Sequence, residues 1–388
     1  MSDFLPYGRQ TIEDDDVAAV ADALTDDFLT TGPKVAAFET GFADFVGAQH
    51  AVACANGTAA LHLAMLALDV QPGEVCIVPS ITFLATANCA RFVGAEVVFT
   101  DVDAESGLMT EATLVDAVAR AGGRKIAAIL PVHLRGDVCD LPAMRRIADE
   151  VGAALVEDAC HALGSRMVFD NVPASAGDGR WGDLAVFSFH PVKTLTTGEG
   201  GMVTTQRADL AERLRLLRSH GMVRPEGADP WVYEMPEIGF NYRLPDILCA
   251  LGLSQLAKLP RLVERRRALA RLYETALAPL APLVRIAARP TWSDPALHLK
   301  CVLIDFEAAG VTRAEAMAGL KARGIGSQVH YIPVHSQPYY RARYGALALP
   351  GADAWYARCL SLPFYPTMAD GDVARVAVAL AEVLGIAP

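Results

Sequence analysis

Lys193 stands in an unusual place for a solvated charge. It comes just after an apolar, phenylalanine-containing run, Leu184-Ala-Val-Phe-Ser-Phe189, and opens a loop of hydroxyl and glycine residues, Thr194-Leu-Thr-Thr-Gly-Glu-Gly-Gly201. An amine desolvated there, beside hydroxyl groups suited to phosphate, reads as a nucleophile. Asp158 ends a second apolar run, Ala153-Ala-Leu-Val-Glu157, and is followed by Ala-Cys-His161. A carboxylate in that position is either a cap or surface charge, or a buried acid that keeps a heterocyclic nitrogen protonated. Asn56-Gly57-Thr58 follows a third run where a helix opens. Free amides and the positive dipole end can hold a phosphate there, although taken alone the triplet reads as an ordinary helix cap.

In open parallel sheets such residues meet at the carboxyl ends of the strands. Short apolar runs predict strands at 51–55, 75–78, 96–99, 127–132, 153–157, 184–189 and 202–205. Apolar residues three or four apart predict helices at 58–68, 86–93, 110–121 and 141–151. Continuous apolar strands fit a sheet covered on both faces, and their alternation with helices implies a mostly parallel α/β fold. After about Gly239 the texture changes. A helical stretch runs from Pro245 through Leu277, with Pro260 expected to break it. A second lobe then shows a strand at 299–304, a helix at 312–323, a run at 326–332 and a last helix at 370–384. A length of 388 residues suits two domains, expected at 1–255 and 256–388.

Hydrophobic residues make up 52% of the chain and charged residues 20%, enough for a sizeable core and too apolar for wholesale disorder. A net charge of −11 leaves no general field for nucleic acid or an anionic membrane. No apolar run reaches the ~18 residues of a membrane span. The opening MSDFLPYGRQ lacks a basic segment followed by an apolar one, so a cytoplasmic location is expected. The eight cysteines show no CxxC spacing and read as buried, reduced thiols. The nine histidines form no HExxH pattern, and no metal is expected.

Read in chain order, the three candidate sites hold a phosphate, an acid for a ring nitrogen and a Schiff-base lysine, which is the order of a pyridoxal phosphate (PLP) enzyme. Ser188-Phe-His-Pro-Val-Lys-Thr-Leu-Thr-Thr-Gly-Glu-Gly-Gly201 resembles the lysine signature of the DegT/DnrJ/EryC1/StrS nucleotide-sugar aminotransferases. The similarity covers nearly the whole chain, through Leu29-Thr-Thr-Gly32, Asn56-Gly-Thr-Ala-Ala-Leu61, Pro79-Ser-Ile-Thr-Phe-Leu-Ala-Thr86, Glu157-Asp158, Gly239-Phe-Asn-Tyr-Arg-Leu244 and Val329-His-Tyr331. The resemblance implies a fold-type I PLP transferase, with a mostly parallel seven-stranded sheet and a smaller C-terminal α+β lobe. It also implies a homodimer with shared active sites. Lys193 would form the Schiff base and shuttle the proton, and Asp158 would pair with the pyridinium nitrogen. Phe83 would stack on the ring face, and His161 would approach the ring hydroxyl. Gly57, Thr58 and Ser188 would hold the phosphate, joined by Asn241 of the other subunit. From the residues alone, Phe83 reads as a core aromatic and His161 as a satisfied buried histidine. Retention of Lys193, where sugar-dehydrating members of the family carry histidine, favours transamination.

Within the family, Asp158-Ala-Cys-His-Ala-Leu-Gly-Ser165, Phe187-Ser-Phe-His190, Arg218-Ser-His-Gly-Met222, Ala250-Leu-Gly-Leu-Ser-Gln-Leu256 and Gln328-Val-His-Tyr331 look like the transaminase branch of pseudaminic acid biosynthesis. That likeness implies L-glutamate as amino donor and UDP-2-acetamido-2,6-dideoxy-β-L-arabino-hexos-4-ulose as acceptor. The nucleotide sugar would contact Tyr7, Asp27, Phe28, Leu29, Thr30, Asn56, Gln328, Val329, His330 and Tyr331. The polar stretch 171–183 departs from the pattern and is expected to alter the rim of the site. The alternatives are another nucleotide-sugar 4-aminotransferase, such as a GDP-perosamine synthase, and a non-catalytic PLP-binding regulator. A Rossmann dehydrogenase would want GxGxxG where this chain has Asn56-Gly-Thr-Ala-Ala-Leu61.

Overall fold

Seven short strands carry the candidate site. A computed structural model describes residues 4–386, so positions 1–3 and 387–388 of the expected domains lie outside the described residues. Two helices, α1 (Asp14–Ala23) and α2 (Pro33–Val46), precede the sheet. The strands β1 (His50–Cys54), β2 (Val75–Pro79), β3 (Glu96–Thr100), β4 (Ile126–Ile129) and β5 (Ala154–Asp158) then alternate with α3 (Gly57–Ala67), α4 (Leu84–Phe92), α5 (Glu111–Arg120) and α6 (Leu141–Val151). A hairpin of β6 (Arg166–Phe169) and β7 (Val172–Ser175) leads into β8 (Leu184–Ser188) and β9 (Gly201–Thr205), and α7 (Ala208–Arg218) follows. The sheet order is β1-β9-β8-β5-β4-β2-β3. Only β9 runs antiparallel to its neighbours. The expected seven-stranded, mostly parallel α/β sheet is therefore present.

Local signals set the helix ends. Asn56 accepts the Ala59 N–H at 2.8 Å and Asp140 the Ala143 N–H at 3.1 Å, each starting its helix. Gly47 and Gly152 close α2 and α6 with φ of 87° and 66°, a conformation that costs glycine little. Under β8, Phe42 packs against Phe187 and Phe189 with ring centroids 5.0 and 5.5 Å apart, and Phe38 lies 5.4 Å from Phe189. This buried cluster anchors the strand from which the Lys193 loop emerges. Truncating one such ring to alanine costs on the order of 3–5 kcal/mol.

The long helix α8 (Asp246–Leu277) corrects one expectation: it runs through Pro260 without a break. Proline removes one backbone bond, but Leu256, Leu259, Leu262 and Val263 bury the turns on both sides and hold the helix together. Its first part packs in the cluster around the large sheet, and from Leu269 onward in a second cluster. That second cluster surrounds a sheet in which β12 (Lys300–Ile304) pairs antiparallel with both β10 (Val284–Ile286) and β13 (Cys359–Leu362). A two-residue strand, β11 (Ser293–Asp294), joins the β6–β7 hairpin instead. The helices α9 (Arg313–Ala322), α10 (Pro338–Tyr344), α11 (Pro350–Arg358) and α12 (Asp370–Val383) complete the chain. Among the described residues, no helix is long and apolar enough to cross a membrane.

Candidate active site

The carboxyl ends of β1, β5 and β8 converge on one cleft of about 650 Å³. Its walls include Tyr7, Asn56, Gly57, Thr58, Phe83, Asp158, His161, Ser188, Lys193 and Gln328 through Tyr331, which lie at eight separate places along the sequence. A larger hollow of about 810 Å³ lies beside Met109 and Trp292, away from the lysine. The chemistry is in the smaller one.

At the start of α3, the amides of Gly57 and Thr58 precede the first intrahelical donor and stay free, while Asn56 serves as the cap. Gly57 is buried against Ser188, and a Cβ on it would lie 2.9 Å from the Ser188 Cβ. Glycine thus lets the serine hydroxyl approach the helix end. A helix terminus with two free N–H groups, flanked by the hydroxyls of Thr58 and Ser188, is a phosphate cradle.

Asp158 is buried at the end of β5. Its Oδ2 accepts the Thr86 hydroxyl at 2.6 Å, and Thr86 in turn accepts from Thr82 at 2.7 Å. Its Oδ1 accepts the Cys160 N–H at 3.2 Å. Lys193 is half-buried, and its Nζ makes no hydrogen bond or ion pair among the described residues. Burial lowers its pKa below the usual lysine range, against the opposing pull of Cys160 and Asp158. A low pKa leaves more of the amine free to act as nucleophile and base.

His161 and Tyr331 form a pair along one edge. The Arg135 N–H donates to His161 Nδ1 at 3.3 Å, which leaves the ring proton on Nε2, 3.1 Å from the Tyr331 hydroxyl. Burial first, then Lys193 and His330, keeps His161 neutral, its pKa well below the usual value. His330 accepts or donates at Nδ1 to Ser361 at 2.8 Å, and burial pushes its pKa down to about 3. His161 and His330 therefore add no positive charge to the cleft. Phe83 is 58% exposed on the rim with its ring 6.1 Å from Tyr331, so it is not a core aromatic.

Other expected residues lie elsewhere. Asp27, Phe28, Leu29 and Thr30 are exposed and do not line this chain's own cleft. Their segment is tied to the start of α8, where buried Asp246 accepts the N–H groups of Gly32 and Lys34 at 2.7 and 2.9 Å. Asn241 is also exposed and outside it, although its neighbour Tyr242 accepts the Ala55 N–H beside the cradle. The stretch 171–183 does not line the cleft either, which corrects the expectation that it shapes the rim. It forms β7 and a turn whose Gly177 packs on Phe187 and donates to Glu157 at 3.2 Å. Seven of the eight cysteines are buried as expected, but Cys160 is half-buried and faces the cleft. Thr86, Cys160 and His298 are cleft residues that the sequence reading did not single out as site residues. Thr86 ends the quoted Pro79–Thr86 motif, but nothing in its spacing shows that it bonds to Asp158 72 positions away.

A phosphate cradle, a buried acid, an amine with lowered pKa and an exposed aromatic fit PLP in outline. Fold and site together define a fold-type I PLP-dependent aminotransferase. Residues 10–381 match the DegT/DnrJ/EryC1/StrS aminotransferase family, and the chain belongs to that family. Among similar solved structures is Helicobacter pylori PseC, an aminotransferase involved in the biosynthesis of pseudoaminic acid. It is 28% identical with a TM-score of 0.89, and the match covers 98% of this chain and 99% of that one. Spr1654 of Streptococcus pneumoniae in its PMP form is 26% identical with a TM-score of 0.89, over 98% and 99% of the two chains. DesI, described in the presence of its TDP-sugar product, is 34% identical with a TM-score of 0.87, over 99% and 94%. The protein is a PLP-dependent sugar aminotransferase.

Proposed function

We propose that this aminotransferase moves the amino group of L-glutamate to C4 of UDP-2-acetamido-2,6-dideoxy-β-L-arabino-hexos-4-ulose, giving UDP-4-amino-4,6-dideoxy-N-acetyl-β-L-altrosamine. The observation that carries the chemistry is the unpartnered Lys193 amine in a cleft that also holds Asp158 and the α3 cradle. The match to PseC over nearly both whole chains supports the sugar. Bound PLP supplies an electron sink through which an amino group passes between two carbon skeletons. Asp158, oriented by Thr86, would hold the proton on the pyridine nitrogen, and Gly57, Thr58 and Ser188 would bind the phosphate. Phe83 and the His161–Tyr331 pair would flank the bound ring. Lys193 Nζ would take the proton off the donor carbon in one half-reaction and deliver one to sugar C4 in the other. Tyr7, Asn56, Gln328, Val329 and His330 face the nucleotide sugar.

The working unit in this reading is a homodimer with shared sites. Asp27 through Thr30 and Asn241 sit outside their own cleft, and the segments that carry them also expose apolar side chains, Phe28 in one and Trp231 and Ile238 (75% exposed) in the other. Exposed apolar surface of this kind marks interaction sites. A second copy would cover it and bring Asn241 to the neighbour's phosphate cradle. We divide the chain into a large domain, 1–255, and a small one, 256–388; apart from Leu5 the second hydrophobic cluster draws on the small domain, while the first also takes in residues from Leu256 to Cys359. We place the enzyme in the cytoplasm, in keeping with eight free thiols.

A second reading, transfer to another nucleotide-linked 4-keto sugar, is favoured by the higher identity to DesI. One experiment separates the two. The purified enzyme is incubated with glutamate and UDP-, TDP- or GDP-linked 4-keto sugars, and products are identified by mass spectrometry. Preferred amination of the UDP-linked N-acetyl sugar is expected. Turnover confined to a TDP- or GDP-sugar overturns the first reading in favour of the second.

A further inference from the structure

His298 is an imidazole with no partner at the heart of the molecule. It is 4% exposed and lines the cleft beside the lysine. Its Nδ1 is sealed from solvent with no hydrogen bond. Its Nε2 also bonds to nothing in the chain, but is not sealed, so it is the nitrogen that opens on the cleft. Buried polar groups normally find partners, and an orphaned N–H costs more than an orphaned lone pair. The proton therefore belongs on Nε2, pointing into the cavity as a free donor.

The surroundings show that this ring is held in place. His298 packs against His161 with ring centroids 4.4 Å apart and planes tilted by 45°. Its backbone N–H donates to the Arg135 carbonyl at 2.7 Å, and the Arg135 backbone N–H donates to His161 Nδ1 at 3.3 Å, so one residue ties the His298 backbone to the His161 ring. Arg135 and Leu297 each carry a left-handed backbone, with φ of 65° and 51°. Strain in non-glycine residues of this kind concentrates at functional sites. Beside the His298 backbone lies Arg266, 1% exposed, whose guanidinium donates to the carbonyls of Leu297, His298 and Phe364, sits over the Phe364 ring at 5.5 Å, and meets no carboxylate among the described residues. Burial, together with His161, Lys193, Arg266 and His330, keeps the His298 pKa well below the usual histidine value, so the ring is neutral.

A free N–H donor near an unpaired guanidinium and an unpartnered lysine is a place for an anion. An α-amino acid reacting at Lys193 brings one: its carboxylate is a single bond from the carbon that bears the amine. No arginine lines the cleft among the described residues. Of the other cleft imidazoles, His161 has both ring nitrogens engaged and His330 its Nδ1, while His190 is exposed. We propose that His298 binds the α-carboxylate of the amino donor through Nε2–H, with the charge of Arg266 nearby. The proposal rests on the aminotransferase reading but not on glutamate, because every α-amino acid carries this group.

The test uses holoenzyme and α-methylglutamate, which lacks the α-hydrogen and so binds without turning over. Calorimetry measures its Kd beside that of UDP. Hydrogen bonds to charged groups are worth about 1.5–3 kcal/mol, so His298→Phe is expected to weaken α-methylglutamate roughly 10- to 100-fold. UDP binding stays unchanged and melting is no lower than wild type, since the orphaned Nδ1 is gone. His298→Gln places an amide N–H near the lost Nε2–H and restores most of the affinity, whereas the shorter His298→Asn does not. In steady state the KM for the amino donor rises more than the KM for the sugar. Unchanged donor affinity in a folded His298→Phe or His298→Asn enzyme overturns the proposal, and so does a loss confined to the sugar. If wild type ignores glutamate and its α-methyl analogue, the glutamate reading fails, and the same series is run with the α-methyl form of the donor it does accept.

Discussion

Acid stability of the cleft offers a direct check on its charge state. His330 is buried in the cleft wall, bonded to Ser361, with its carbonyl accepting the Trp355 indole N–H at 3.0 Å. Burial first, and then Lys193, lowers its pKa to about 3, whereas an unfolded histidine titrates near 6.5. Below pH 6.5 the unfolded chain therefore binds a proton that the folded chain refuses. Stability is full above 6.5 and is lost as pH falls toward 3. Between pH 7 and pH 5 this one group should account for about 2 kcal/mol of lost stability. His330→Gln keeps a polar group toward Ser361 and removes the titration. Urea unfolding is measured at pH 7 and pH 5 at one protein concentration, by fluorescence and circular dichroism. Whatever offset the substitution imposes at pH 7, the wild type should lose about 2 kcal/mol more than the variant on going to pH 5. Equal losses in the two proteins would refute the neutral, buried His330. His161 and His298 are shifted in the same direction and account for slope that remains in the variant. The functional meaning is that the buried His161, His298 and His330 do not compete with Lys193 for charge.

Borohydride reduction of the yellow enzyme is expected to fix the cofactor to a peptide containing Lys193, and Lys193→Ala should abolish turnover; label on another lysine contradicts the assignment. Asp158→Asn keeps size and removes the charge facing the pyridine nitrogen, with an expected fall in kcat of about 10²–10³, or roughly 2.7–4 kcal/mol. A near wild-type kcat removes Asp158 from that role. Mixing inactive Lys193→Ala with inactive Asn241→Asp should restore activity as subunits exchange, because a two-fold dimer then contains one intact site. No recovery after exchange is confirmed by tagged pull-down would mean that Asn241 serves its own chain.

What the sequence by itself determined was the local grammar. Continuous apolar runs marked the sheet strands, because a sheet covered on both faces selects such runs. Asn56-Gly57-Thr58, Asp158 and Lys193 each stood just beyond a strand, where a parallel sheet gathers its ligands. Their order along the chain was enough to name the chemistry. Which side chains meet is a matter of packing. Thr86 bonds to Asp158 across 72 positions, and His298 packs against His161 from a distant stretch of the chain. No periodicity records either meeting, since both arise where separate elements pack. Pro260 reads locally as a breaker, yet burial of the flanking turns holds α8 continuous. The polar stretch 171–183 reads as an insertion, yet its backbone pairs in a hairpin and donates to Glu157, away from the cleft. Asn241 and residues 27–30 carry recognisable motifs, but their exposure outside their own cleft is a fact of three dimensions. Spacing along a chain governs hydrogen bonds within one element; the contacts that orient an acid or leave an imidazole unpaired depend on how elements pack.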